Sequence, residues 1–121
     1  MRQQLDLVLI EGAGGWKVPI NEEEDLSHLA IQLNIPVIMI VDMKLGCINH
    51  AKLTEESILA AGLDVAGWVA NNTSPKSMLY LDENVNAISK IIPAPLLGKV
   101  DFIVSGDPGE AVSELHIGNL F

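Results

Sequence analysis

Residues 5–15 read LDLVLIEGAGG, an apolar run that ends in one acidic residue and three glycines. The nearly continuous apolar character of Leu5–Ile10 predicts a strand covered on both faces, which is typical of parallel sheets. Glycines after such a strand let the backbone approach a ligand closely and reach positive φ. The stretch therefore predicts an α/β fold with a ligand beyond the carboxyl end of this strand.

Outward from this stretch, strand and helix patterns alternate along the chain. Further strands are predicted at Pro36–Val41 and Val65–Ala70, and helices at Leu26–Leu33, Ile48–Ala61 and Met78–Ile91. Pro93 and Pro95 then bracket a short apolar piece that ends at Leu97, and the signals are weak from Asp101 onward. This alternation predicts βαβ units and a parallel sheet in a single, partial α/β domain over residues 1–121.

The composition narrows the class of protein. The 121 residues include 7 basic and 16 acidic side chains, a formal net charge of −9, which argues against binding a nucleic-acid backbone. The longest apolar run, Ile35–Val41, is far shorter than the roughly 18 residues of a membrane span. Cys47 is the only cysteine, so there is no disulfide framework. We expect a soluble cytoplasmic protein with neither a nucleic-acid nor a membrane partner.

Glu11 raises the first question of chemistry. A carboxylate at the end of a buried strand is costly unless it has a partner. Mg²⁺ is a natural partner, because it takes one or two carboxylates together with phosphate oxygens and water. The alternative is a tight strand-to-loop turn that leaves Glu11 exposed, and the residues alone leave both possibilities open.

Three other stretches fall near predicted strand ends and also have two interpretations each. LGCINH (45–50) is either a helix N-terminus that holds an anion or an ordinary capped helix in which Cys47 is simply buried. GWVANN (67–72) offers amide side chains that suit an adenine edge, or merely ends a strand in a turn. PAPLLG (93–98) is either a further strand-end site or a rigid loop.

Taken together, four stretches resemble the dethiobiotin synthases in their order and spacing. They are EGAGGWxVP, KLGCINHA, GWVAN and IPAPLLG. The resemblance runs from Leu5 to Val100, and LGCINH is its most specific element. It implies a P-loop NTPase-like (Rossmann-like) fold and a homodimer with sites at the subunit interface. It also implies the conversion of 7,8-diaminononanoate, CO₂ and ATP to dethiobiotin, ADP and phosphate.

The resemblance also implies roles for individual residues. Glu11 would be a Mg²⁺ ligand, and the nucleotide phosphates would lie along Gly12, Ala13 and Gly14. The substrate carboxylate would be held by Gly46, Cys47, Ile48 and Asn49. These residues would reach into the partner subunit's site across a dimer interface formed by the Gly46–Gly62 helix region. The adenine would be read by Asn71 and Asn72, helped by Pro93, Ala94 and Pro95.

The chain departs from the family pattern in one large respect. These 121 residues contain no G-x-x-x-x-G-K-[ST], the loop that cradles phosphates in this family. We therefore expect this chain alone to be inactive, with no catalytic residue of its own, and to associate so as to cover exposed strand edges. A smaller departure is Lys99, where the family commonly carries Glu. The alternatives are a non-catalytic dimerising or regulatory remnant and a cobyrinate-type amidating enzyme, with which EGAGG is shared.

Overall fold

The computed structural model describes residues 7–120 and is built around a three-stranded parallel sheet. The strands are β1 (Val37–Asp42), β2 (Val65–Asn71) and β3 (Leu96–Val100), in the spatial order β1-β2-β3. The helices are α1 (Leu26–Leu33), α2 (Cys47–Ala60) and α3 (Leu81–Ile91), followed by the 3₁₀ turns η1 (Pro108–Glu114) and η2 (Gly118–Leu120). The predicted α/β class with a parallel sheet is confirmed.

The core lies on both faces of the sheet. On one face, Trp68 of β2, Ile58 of α2 and Ile88 of α3 are all fully buried in one apolar cluster. On the other face, Val69 and Leu97 pack with the segment that follows β3. The indole N–H of Trp68 is buried without a hydrogen-bond partner among the described residues, so its burial opposes the stabilisation that the ring provides.

Helix α1 begins where the sequence predicts. Asp25 is its N-cap, accepting from the Ser27 amide at 3.0 Å, while the Asp25 amide donates to His28 Nδ1 at 3.0 Å. This reciprocal pair satisfies two of the amides that a helix start leaves free. Asn34 ends the helix in the left-handed region at φ 50°. No helix within residues 7–120 is long and apolar enough to cross a membrane.

The predicted strand at Leu5–Ile10 is wrong over its described part, and its first two residues lie outside the described range. Residues 7–10 belong to no strand, and their side chains are between 47% and 79% exposed. A strand needs a neighbour that pairs with its backbone, and apolar character alone does not supply one. Within residues 7–120, the sheet stops at β1 on this side.

Two other boundaries shift by three residues. Helix α3 starts at Leu81 instead of Met78, because Tyr80 takes the left-handed conformation at φ 58° immediately before it. The apolar piece after the prolines continues beyond Leu97, and β3 runs to Val100. The second shift matters for function, since it places Asp101 directly after the third strand.

Candidate functional site

The three strands end together at one edge of the sheet. In the register, Asp42 of β1 pairs with Asn71 of β2, and Asn71 pairs with Val100 of β3. The backbone continues the pairing, since the Met43 amide donates to the Asn71 carbonyl at 2.9 Å and the Asn72 amide to the Val100 carbonyl at 2.9 Å. This carboxyl edge is where open α/β sheets bind their ligands.

The two asparagines at this edge differ in what their side chains do. Asn72 is buried, donates to Ser77 Oγ at 3.0 Å and accepts weakly from the Ser74 amide at 3.4 Å. Its amide therefore shapes the loop after β2, as in the turn alternative. Asn71 is half-buried, and its side chain makes no hydrogen bond to another described residue. Of the two, Asn71 has its donor and acceptor free for a ligand.

A cleft of about 280 Å³ lies beside this edge. It is lined by Asn72, Pro75, Ser77, Asp101, Phe102 and Val104. Phe102 and Val104 provide apolar surface in this open cleft, and Asp101 and Ser77 provide polar groups. The sequence reasoning missed Asp101, Phe102 and Val104, although the strand-end rule would have found them had the third strand been extended to Val100.

Pro93–Pro95 are not at this edge. They precede β3, and the Pro95 carbonyl accepts from the Trp68 amide in the middle of β2 at 2.9 Å. The expectation that they lie at a strand's carboxyl end is therefore wrong in location, because the prolines open the third strand and do not close it. Their predicted help in reading adenine has no support from this geometry.

Helix α2 begins at the same edge, with Gly46 as its N-cap at φ 94° and no side-chain cap. The Cys47 amide donates to the Lys44 carbonyl at 3.0 Å. The amides of Ile48 and Asn49 donate to no acceptor within the described part of the chain. Free amides at a helix N-terminus attract an anion such as a carboxylate. Cys47 itself is 3% exposed and packs in the core.

Asp42 carries the main charge interaction at the end of β1. Its carboxylate lies 2.7 Å from Lys44 Nζ and accepts from Thr73 Oγ1 at 2.6 Å. The Lys44 ammonium, and after it the Thr73 hydroxyl, hold the pKa of Asp42 below its ordinary value. The bond from Thr73, which follows β2, joins the end of β1 to the end of β2.

Glu11 is exposed, and so are the four residues that follow it. The premise that Glu11 ends a buried strand is therefore wrong, because residues 7–10 are themselves exposed. Gly14 and Gly15 do take positive φ, at 94° and 103°, as the glycines predict. Among residues 7–120, no three His, Cys, Asp or Glu side chains form a metal cluster. Within the glycine-rich stretch of residues 11–15, Glu11 is the carboxylate that could contribute to a Mg²⁺ shell.

Comparisons with known proteins agree with this architecture. The model of the AAA domain family matches residues 1–108. The chain is 46% identical over 117 residues to the ATP-dependent dethiobiotin synthetase BioD of Aromatoleum aromaticum, covering 97% of this chain and 52% of that protein. It is 51% identical over 115 residues to the protein of that name from Cellvibrio japonicus, covering 95% and 50%. The chain thus spans about half the length of the curated relatives it matches.

Proposed function

The chain belongs to the AAA domain family and is similar to dethiobiotin synthetases, and on that premise we propose that it supplies the substrate-carboxylate and adenine portions of such a synthetase. The reaction would join the two amines of 7,8-diaminononanoate through CO₂ into the cyclic urea of dethiobiotin. ATP would phosphorylate the carbamate that one amine forms with CO₂ and would leave as ADP, and the second amine would then close the ring by displacing phosphate. Two features at one edge of the sheet support this proposal. They are the backbone amides at the N-terminus of α2, which have no acceptor among the described residues, and the side chain of Asn71.

The N-terminus of α2 is the observation that carries the proposal. The free amides of Ile48 and Asn49 lie beyond β1, where the helix dipole favours a negative charge. A substrate with a terminal carboxylate fits this position, and an uncharged ligand would leave the amides poorly matched. Asn49 is exposed and adds a side-chain amide to the same surface.

The nucleotide portion would use the cleft at the ends of β2 and β3. Asn71 has its side-chain amide free among the described residues, and Phe102 offers an aromatic surface in the adjoining cleft. Gly12, Ala13 and Gly14 would lie along the phosphates, with Glu11 as a Mg²⁺ ligand. A bound Mg²⁺ would neutralise phosphate charge. This chain's own part is to hold and orient the two substrates.

A homodimer through the Gly46–Gly62 helix region is part of the proposal. Helix α2 and the turn before it expose the apolar side chains of Leu45, Ile48, Leu53 and Leu59. Leu45 is 95% exposed. A second copy packed here would cover these side chains and bring each α2 N-terminus close to the partner's site.

The test is a fusion, because these 121 residues contain no G-x-x-x-x-G-K-[ST]. The part of the Cellvibrio japonicus synthetase that precedes the matched region is joined ahead of this chain. We expect the fusion to form dethiobiotin from 7,8-diaminononanoate, CO₂ and Mg-ATP, and this chain alone to form none. A well-folded fusion with no turnover would refute the proposal, and turnover of a cobyrinate-type acid instead would favour the amidating enzyme.

Two substitutions in the fusion separate the two portions of the site. Asn49→Ala should raise KM for 7,8-diaminononanoate roughly tenfold, as expected for a lost hydrogen bond to a charged group, and leave KM for ATP unchanged. Asn71→Ala should raise KM for ATP, by a smaller factor of roughly fivefold, and leave KM for 7,8-diaminononanoate unchanged. Equal effects on both constants would show that these residues do not have separate roles.

A further inference from the structure

We propose that Trp16 and Lys17 are positioning residues that hold the glycine-rich loop, residues 11–15, in the shape that receives phosphate. This inference rests on the proposed function, in which Gly12, Ala13 and Gly14 lie along the nucleotide phosphates. Both side chains follow the loop directly in the chain, and each is fixed to a different helix.

Trp16 fixes the loop to α2. Its indole Nε1–H donates to Ser57 Oγ at 3.0 Å, across 41 positions of sequence. The ring is half-buried and packs against the apolar cluster that α2 and α3 form on the sheet. A ring held by both packing and a directional bond has little conformational freedom. The backbone of Trp16, and with it the end of the preceding loop, is therefore held as well.

Lys17 fixes the loop to α1. Its Nζ donates to Ser27 Oγ at 3.0 Å and lies 3.4 Å from Asp25 Oδ2. Ser27 is fully buried, and Asp25 is the N-cap of α1. The hydroxyl of Ser27 also donates to Asp25 and is the main reason that the pKa of Asp25 is lowered. The ammonium thus joins a buried polar group and a helix cap that are already bound to each other.

The loop itself has few bonds of its own. Over residues 7–120, the backbone bond from the Val18 amide to the Gly15 carbonyl, at 3.5 Å, is the only backbone bond that includes a residue of the loop. Gly14 and Gly15 take positive φ, and glycine loses more conformational freedom on ordering than any other residue. A loop fixed before the ligand arrives loses less entropy when it binds. The anchors that follow the loop therefore add order to that provided by the Leu26 side chain, which packs closely against Gly12.

The packing of Trp16 alone would predict a different behaviour. As a packing residue, Trp16 would stabilise the whole domain, and its loss would loosen α2 and the sheet together with the loop. As a positioning residue, its bond to Ser57 controls the loop and leaves the rest of the fold in place. Hydrogen exchange of backbone amides distinguishes the two, because it reports each segment separately.

The experiment measures exchange in the full chain and in three variants. Ser57→Ala removes the acceptor and keeps the Trp16 ring, Ser57→Thr restores a hydroxyl, and Ser89→Ala on α3 is the control. We expect Ser57→Ala to speed exchange of the Val18 amide, which donates to the Gly15 carbonyl, about fivefold, the effect of one net hydrogen bond, with α2 and β2 unchanged. Ser57→Thr and Ser89→Ala should match the parent chain. An unchanged exchange rate at the Val18 amide, or a rise that extends over α2 and β2, would overturn the proposal.

Binding of Mg-ADP to the synthetase fusion then separates this proposal from the proposed function. We expect Ser57→Ala to weaken Mg-ADP binding about fivefold, with an unchanged unfolding midpoint, and Ser57→Thr to restore it. Normal binding in the Ser57→Ala variant would overturn the positioning role alone. A parent fusion that binds no Mg-ADP would refute the proposed function, and the positioning role with it.

Discussion

At the scale of single residues, the site depends on which polar side chains are already engaged. The Asn72 side chain donates to Ser77 and accepts from the Ser74 amide, whereas the Asn71 side chain makes no hydrogen bond to another described residue. Neighbouring and chemically identical side chains therefore differ in their hydrogen bonding, and only their surroundings distinguish them. Asp42 is engaged in a third way, through an ion pair with Lys44 and a bond from Thr73.

Asp42 makes the stability of this chain depend on pH. Its folded-state pKa lies below the ordinary 3.8, so its contribution is complete above that value and is lost as the pH falls through the folded-state pKa. We expect the free energy of unfolding to fall as the pH drops below about 4 and through the folded-state pKa of Asp42, and to fall less steeply in Asp42→Asn. The difference should stay below about 1 kcal/mol because Lys44 is largely exposed. Urea titrations at a series of pH values measure it.

Asp64→Asn is the control for this prediction. Asp64 is exposed and belongs to none of the ion pairs among the described residues. Its substitution should leave the slope of stability against pH unchanged. An equal slope in Asp42→Asn and the parent chain would mean that the pair with Lys44 forms as readily in the unfolded chain.

At the scale of elements, the segment after β3 is fixed by a close approach of backbone to backbone. Gly98 forms a bridge with Leu115, and the His116 amide donates to the Leu97 carbonyl at 2.7 Å. A Cβ at Gly98 would lie 2.2 Å from the Glu114 carbonyl oxygen, which no side chain could tolerate without movement. The end of η1 can therefore approach β3 this closely only beside a glycine. This contact places Leu115 over the second face of the sheet.

Gly98→Ala should therefore lower the free energy of unfolding by about 1–3 kcal/mol, the usual range for overpacking a core. The backbone of η1 would have to move away from β3, and Leu115 with it. Chemical denaturation followed by the fluorescence of Trp16 and Trp68 measures the change. Gly118→Ala is the matched control, since a Cβ there has no neighbour within 4 Å. If both variants unfolded at the same denaturant concentration, the contact between η1 and β3 would not exist in solution.

At the scale of the whole molecule, many apolar side chains remain in contact with solvent. The free edge of β1, residues 7–10 and the exposed side of α2 all present such groups. Exposed strand edges and apolar patches of this kind favour association. The net charge of −9 opposes association at low salt but is screened at physiological ionic strength.

We expect the chain to associate in solution through α2. Light scattering at physiological salt should give a mass about twice the 13.0 kDa of one chain or larger. Replacing Leu45 and Leu53 together by Lys should shift the mass toward the monomer, because charges would then face each other across α2. Val104→Lys is the control, since Val104 is 90% exposed and lies away from α2. A monomeric parent chain would contradict both the dimer and the predicted covering of exposed edges.

The sequence by itself determined the features that depend on neighbouring residues. The cap at Asp25, the end of α2 before Gly62, the positive φ of Gly14 and Gly15 and the alternation of strand and helix all follow from local preferences. The motifs that indicate the family, LGCINH above all, are likewise short and contiguous. Such features need no knowledge of what lies across the fold.

The tertiary structure decided everything that depends on pairing between distant segments. Residues 7–10 are as apolar as β1, yet only β1 has a strand beside it, and Glu11 is exposed as a result. The cleft with Phe102 exists because β3 runs to Val100, and the anchor of Trp16 exists because Ser57 lies beside it. Burial and hydrogen bonding are properties of two segments together, so one segment's composition cannot specify them.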